Sequence, residues 1–298
     1  MLISSRLPLL VALAAGTTPL AAQKTEQVHA VTVAGRGPET YVLLSGMVGG
    51  VAGFRRLEAR LVLQGYRVIV IDPYQLSLDS ADVTFAALAR RVEAVLAERG
   101  VTCARMVGHS HGAGVMLRVA ARNPELVAAL YFLDAGALAG TRSPILSTSL
   151  RLVPVIARIS RGRDFIRSRY VRGLRDNSAR LEWLDAETQR AYTEPMLDGI
   201  DRVIGMALRL ERAEEPDSVV DLVARIHVPV TVLLGDAPHD SGPGLAELEA
   251  LAPLGALVRI EHMAGVGHFP HEEAPDEVAR LILAPRTVAV GRAVGAGR

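Results

Sequence analysis

The sequence predicts an α/β fold: a mostly parallel central sheet with helices on both faces and a helical insertion over one edge. Three observations predict it. Short apolar runs alternate with amphipathic helical stretches along most of the 298 residues. A Gly-x-Ser-x-Gly pentapeptide, Gly108 to Gly112, stands where one such run passes into a helix. The stretch from Gly136 to Ala224 has helical spacing without clear strands, after which the β pattern returns.

The elements follow in order. Val28–Val33 alternates weakly as a first strand, and Tyr41–Leu44 is a second, ending at Ser45-Gly46. Gly53–Leu63 has helical spacing, and Gly65 is placed to stop it. Arg67–Ile71 is a β-branched strand followed by Asp72-Pro73. Val83–Arg99 is an amphipathic helix that Gly100 terminates. Ala104–Val107 is a strand that leads into the pentapeptide, and Ser110–Arg122 is a helix closed by Asn123-Pro124. Val127–Leu133 is a strand ending at Asp134. Beyond the helical middle come strand Pro229–Leu234, helix Leu245–Leu251, strand Leu257–Glu261 and helix Glu273–Leu283, with Pro275 in its first turn. The last residues, 285–298, carry no core pattern and read as a flexible tail.

Composition narrows the function classes. Half the residues are hydrophobic, enough for a sizeable core. Thirty-three basic side chains against 32 acidic ones leave a net charge of +1, with no global field for nucleic acid or anionic lipid. Arginines gather between Arg151 and Arg175, which reads as the solvated face of one or two helices ahead of an anion or membrane patch. Cys103 is the single cysteine, so neither an intrachain disulfide nor a thiolate cluster is available, and it reads as a small buried hydrophobe. Residues 1–22 resemble a secretory signal: Arg6, the apolar run Leu7–Gly16, then small residues up to Ala22. A periplasmic or secreted protein is expected, or a cytoplasmic one if that segment is not cleaved. No stable membrane anchor is predicted.

The chemistry-bearing residues are Ser110 and His268. A strand-to-helix turn at Gly108-His109-Ser110-His111-Gly112 presents the Ser110 hydroxyl at a helix N-terminus, where N–H groups favour developing negative charge. A serine hydroxyl needs a neighbouring base, and an imidazole can take and return its proton. His268, in Gly265-Val266-Gly267-His268-Phe269-Pro270, lies past the last strand and supplies it. His271 reads as a solvated loop residue or a neighbour of the site. His109 and His111 form a His-x-His, but no metal-binding signature accompanies them, so no metal and no cofactor are expected.

Leu43-Leu44-Ser45-Gly46-Met47, the Gly-His-Ser-His-Gly turn and the stretch from Gly265 to Ile282 together resemble the α/β-hydrolase superfamily, over about Thr40–Ala284. The resemblance implies an α/β-hydrolase fold with a helical lid at 136–224 between core segments 23–135 and 225–284. It implies an oxyanion hole from the backbone N–H groups of Met47 and His111, and a carboxylate behind His268. Members usually carry His-Gly where this chain has Ser45-Gly46, and Gly-x-Gly-x-Ser where it has Asp72-Pro73-Tyr74-Gln75-Leu76-Ser77. The acid often sits in a Gly-x-x-Asp, whose last position here is Pro238; some members place it after the preceding strand, at Asp134. Asp134 is preferred, ahead of Asp240 and then Asp236. The expected activity is carboxylic ester hydrolysis on a small-molecule substrate. The alternatives are C–C hydrolysis, acyl transfer, cofactor-free perhydrolysis, or a non-catalytic binding protein on the same fold. Ile145, Leu146, Leu150, Trp183, Met196 and Met206 are the lid's apolar residues.

Overall fold

A computed structural model describes residues 30–138 and 147–285, the side chains of 147–150 excepted. The expected leader, the start of the first strand, Ile145, Leu146, the side chain of Leu150 and the tail beyond 285 lie outside the described residues. Seven strands form one sheet: β1 (Val31–Ala34), β2 (Thr40–Leu44), β3 (Arg67–Ile71), β4 (Ala104–His109), β5 (Val127–Leu133), β6 (Val230–Gly235) and β7 (Val258–Met263). Their order is β1-β3-β2-β4-β5-β6-β7. All neighbours are parallel except β1, which runs antiparallel along β3 at the edge.

Helices cover both faces, so the inner strands are apolar on both sides and read as continuous hydrophobic runs. Alternate residues still divide between two cores. Val42, Leu44, Ile69 and Ile71 face the side packed by α2 (Phe85–Glu98) and α3 (His111–Arg122). Tyr41, Leu43, Val68 and Val70 face the side packed by α1 (Arg55–Leu63) and α11 (Pro275–Leu283). Thr84 caps α2 by accepting from the Ala87 N–H, which starts that helix two residues later than its amphipathic spacing suggests.

Between β5 and β6 the chain folds, among its described residues, into five helices: α4 (Ser147–Arg158), α5 (Gly162–Asp176), α6 (Ala186–Asp198), α7 (Ile200–Leu210) and α8 (Val219–Ala224). They are not a separate layer throughout. Met206, Leu210, Leu222 and Val223 join the core on the α2–α3 side. Trp183, Tyr192 and Leu174 instead gather with Phe269, and Ile166 with Leu197, Ile200 and Ile204. No helix among the described residues is long and apolar enough to cross a membrane.

Several local expectations are corrected. The helix expected at Gly53–Leu63 begins as a 3-10 turn over Gly50–Phe54, and that expected at Leu245–Leu251 shortens to α9 (Leu245–Glu249). The helix expected at Glu273–Leu283 is α11, which starts at Pro275, and a short α10 (Pro270–Glu273) precedes it, ended because Pro275 lacks the N–H that would continue it. Cys103 is exposed: it lies in the bend through which the chain enters β4 from solvent, not in the strand. His271 is buried, stacked on Phe54 with ring centroids 4.6 Å apart.

Candidate active site

β4 stops at His109, and the chain turns into α3 through Ser110, whose backbone is held at φ 49°, ψ −124°. An L residue rarely adopts this conformation, and the strain persists because its surroundings fix it. The Ser110 N–H donates to the Leu133 carbonyl of β5, and its carbonyl accepts from Ala113. A Cβ on Gly112 would lie 2.3 Å from the Leu44 carbonyl, and one on Gly108 would lie 2.7 Å from the Ala113 nitrogen. Glycine at 112 therefore lets the turn seat against β2, and glycine at 108 lets the first turn of α3 close back on the end of β4. The Ser45–Met47 loop lies alongside, since a Cβ at Gly46 would come 3.2 Å from the Ser110 Cβ. His111 opens α3, so its N–H is one of the first-turn donors without an intrahelical acceptor.

Asp134 follows β5 directly, buried and at φ 47°. Its N–H donates to the Leu233 carbonyl, and its Oδ1 accepts the Gly235 N–H at 3.0 Å. Two histidines meet on the other oxygen. His268 Nδ1 lies 2.7 Å from Asp134 Oδ2, and His239 Nε2 lies 2.8 Å from the same atom. The Nδ1 of His239 is 2.7 Å from the Ala237 carbonyl, so the ring is pinned at both ends. Because the carboxylate accepts at His268 Nδ1, the Nε2 of that ring is left for other chemistry. Asp240 is exposed, and the Asp236 carboxylate, also exposed, accepts the Gly265 N–H at 2.6 Å.

The loop carrying His268 is moored on both flanks. Glu273 accepts from Gly267 at 3.0 Å and Phe269 at 3.2 Å, and also from Ala179 and Arg180 at 2.8 and 2.9 Å. The His268 N–H itself donates to the Asn177 carbonyl, just beyond α5, at 2.8 Å. His109 Nε2, next to Ser110 in sequence, lies 2.8 Å from the His268 carbonyl. Ser110, Asp134 and His268 thus come together at one edge of the sheet, the carboxyl ends of its parallel strands, where ligands bind in open α/β sheets.

Three further imidazoles crowd this edge. Burial pushes His111 down to about 4, His271 down to about 3 and His109 well below the usual histidine range. They are neutral near pH 7, and a positive charge on His268 works against charging any of them. Burial also raises the Glu272 carboxyl to about 7, although it accepts from the Tyr192 hydroxyl at 2.8 Å and pairs with Arg56 at 3.1 Å. Trp183 stands against Phe269 with ring centroids 5.4 Å apart, giving the site an apolar flank.

Asp134, His239 and His268 also form a group of potential metal-ligating atoms, all within 4.8 Å of one another. A cation there would displace the hydrogen bonds that the two rings make to the shared oxygen. His239 is the site residue that sequence reasoning missed. It stands one position past Pro238, where an acid was sought, and a search for carboxylates passes over it.

The sequence profile of the alpha/beta hydrolase family matches residues 12–281. This chain belongs to the alpha/beta hydrolase family. Among curated proteins it is similar to a 2-hydroxy-6-oxononadienedioate/2-hydroxy-6-oxononatrienedioate hydrolase from a Pseudomonas species, 32% identical over 133 residues. That alignment covers 41% of this chain and 46% of the relative, so less than half of the relative's length is matched. Among solved structures this alpha/beta hydrolase is similar to a membrane phospholipase A described as a bacterial virulence factor, with TM-score 0.66, 22% identity and coverage of 85% and 80% of the two chains. It is also similar to a thermophilic esterase from Thermogutta terrifontis, with TM-score 0.64, 22% identity and coverage of 85% and 90%. An alpha/beta hydrolase fold protein from Burkholderia ambifaria gives TM-score 0.66 at 19% identity, covering 85% and 92%. At these identities the structural likenesses establish the fold.

Proposed function

We propose that this alpha/beta hydrolase is a serine hydrolase that cleaves a carboxylic ester through an acyl-enzyme. The observation that supports it most is the 2.7 Å contact between His268 Nδ1 and Asp134 Oδ2 beside the strained turn of Ser110. In this reading Asp134 holds the His268 tautomer and steadies its cation. His268 Nε2 takes the Ser110 proton as Oγ bonds to the ester carbon. The N–H groups of Met47 and His111 hold the resulting oxyanion, each worth roughly 3–4 kcal/mol where such donors have been removed. Collapse breaks the bond to the alcohol, which leaves with the proton from His268. Water then attacks the acyl-enzyme by the same route and frees the acid and Ser110.

His239 is a positioning residue in this scheme. It holds Asp134 through the same Oδ2 that meets His268, one position past Pro238, where the acid was sought. Of the helices between β5 and β6, α5 and α6 with the segment between them act as a lid whose apolar residues, Trp183 among them, bound the substrate. A second reading is hydrolysis of a C–C bond next to a carbonyl, favoured by the 32% identity to the oxononadienedioate hydrolase. The same nucleophile and base would serve it.

The test is labelling by a fluorophosphonate probe together with turnover of a chromogenic short-chain ester. Wild type labels and turns over, and Ser110→Ala does neither. A wild type that stays unlabelled while a control esterase labels would overturn the serine mechanism. Labelling without ester turnover, with cleavage of a vinylogous β-diketone, would select the C–C reading.

A further inference from the structure

The outer surface of α4 and α5 is unlike the rest of the molecule. From Arg151 to Arg175 the chain carries eight arginines and one acidic residue, Asp164. Three of these arginines are neutralised: Arg158 by Asp201, Arg163 by Asp198, and Arg167 by Asp164 and Glu194. Arg151, Arg161, Arg169, Arg172 and Arg175 are exposed and form no ion pair with a described residue.

Large apolar side chains stand among these charges. Leu152, Val155 and Ile159 are 57%, 57% and 61% exposed, at spacings of three and four residues that put them on one stripe of α4 and its C-terminal end. The inward stripe, with Val153 and Ile156, packs on Ile166, Leu197 and Ile204, so the outer residues are not turned out by a lack of core. On α5, Phe165 is 54% exposed, with Arg169 one turn further along the same face and Arg161 at the N-cap four residues before it. The arginine-rich stretch reads in sequence as a solvated charged face ahead of an anion or membrane patch; the structure leaves an apolar stripe outward inside it.

We propose that this face of α4 and α5 is a docking surface for an anionic lipid bilayer, lying in the headgroup plane with Phe165 and the α4 stripe entering the acyl boundary. Helices of this kind, basic at the flanks and apolar at the crown, adsorb to such interfaces without spanning them. A polyanion such as duplex nucleic acid would satisfy the arginines but leave Leu152, Val155 and Ile159 in water. The net charge of +1 means that attraction is local to this face. The proposal does not depend on the serine mechanism.

The experiment is co-sedimentation of the full chain with vesicles of phosphatidylcholine, with and without phosphatidylglycerol. The quantity read is the gain in binding that the anionic lipid gives. Wild type shows a gain that falls as salt is raised. Arg161→Glu with Arg169→Glu, and separately Phe165→Asp, each reduce it roughly tenfold. Ser110→Ala retains it, and turnover of a water-soluble ester is unchanged in the surface variants. A gain that survives both surface variants would overturn the proposal. So would equal affinity for neutral vesicles in wild type and variants, or binding to duplex DNA that matches the vesicles and ignores Phe165→Asp.

Discussion

A carboxylate oxygen that serves two imidazoles at once divides its hold between them. Asp134 Oδ2 does this for His268 and His239. Asp134→Asn should lower kcat by about 10⁴-fold with KM nearly unchanged, since it offers the wrong group to His268 Nδ1. Asp236→Asn and Asp240→Asn should stay near wild type; a comparable loss in Asp240→Asn would move the acid there. His239→Phe should reduce kcat by ~10–100-fold, the kinetic worth of one charge-assisted hydrogen bond, while His239→Gln keeps a donor and recovers most of it. Equal losses in both, tracking their melting temperatures, would make His239 merely structural. Ser110 and His268 were legible because their chemistry is written in local patterns: a glycine-flanked serine after a strand, and a histidine after the last one. Asp134 was preferred ahead of Asp240 and Asp236 with no local pattern to decide it, because three carboxylates end or follow adjacent strands and only loop conformation separates them. His239 and Glu273 left no signal, since what each does depends on which backbone groups the folded loops turn toward it.

At the scale of elements, one buried pair ties the helical insertion to the sheet. Arg118, on the face of α3 toward the core, lies 3.2 Å from Glu215, between α7 and α8. Glu215 also accepts from the N–H groups of Phe85 and Ala86 at 2.6 and 3.2 Å, in the first turn of α2. Three segments distant in sequence therefore share one carboxylate. Glu215→Ala should destabilise the fold by about 3–5 kcal/mol in urea melts, because it removes the carboxylate that pairs with a buried guanidinium and accepts from the first turn of α2. A loss under about 1 kcal/mol would mean that water replaces the carboxylate. The strands were the most legible elements: apolar runs bounded by Gly, Pro and Asp place β2 to β6 within a residue or two. The antiparallel course of β1 was not, because the direction of a four-residue edge strand depends on its neighbour. Pro275 was legible as a first-turn residue of the last helix, but the short α10 before it was not, because four residues carry no periodicity.

Across the whole molecule, the buried imidazoles set an acid limit. In the unfolded chain each takes its proton near 6.5, but in the fold His111 and His271 do so only near 4 and 3, and His109 lower than usual. The unfolded state binds protons first, so stability drops as pH falls from about 6.5 toward 4. Glu272 acts in the opposite sense: raised from 4.5 to about 7, it costs stability as pH rises through that span. Melting temperature against pH should fall on the acid side, less steeply in His271→Gln; an unchanged slope would show that the ring titrates freely in the fold. The bond from the His268 N–H to the Asn177 carbonyl carries a further consequence. Whatever displaces the end of α5, a bulky guest or a bilayer pressing on its outer face, pulls on the base itself. An engineer who transplants another enzyme's cover onto this sheet would import a new guest preference and a retimed proton transfer together.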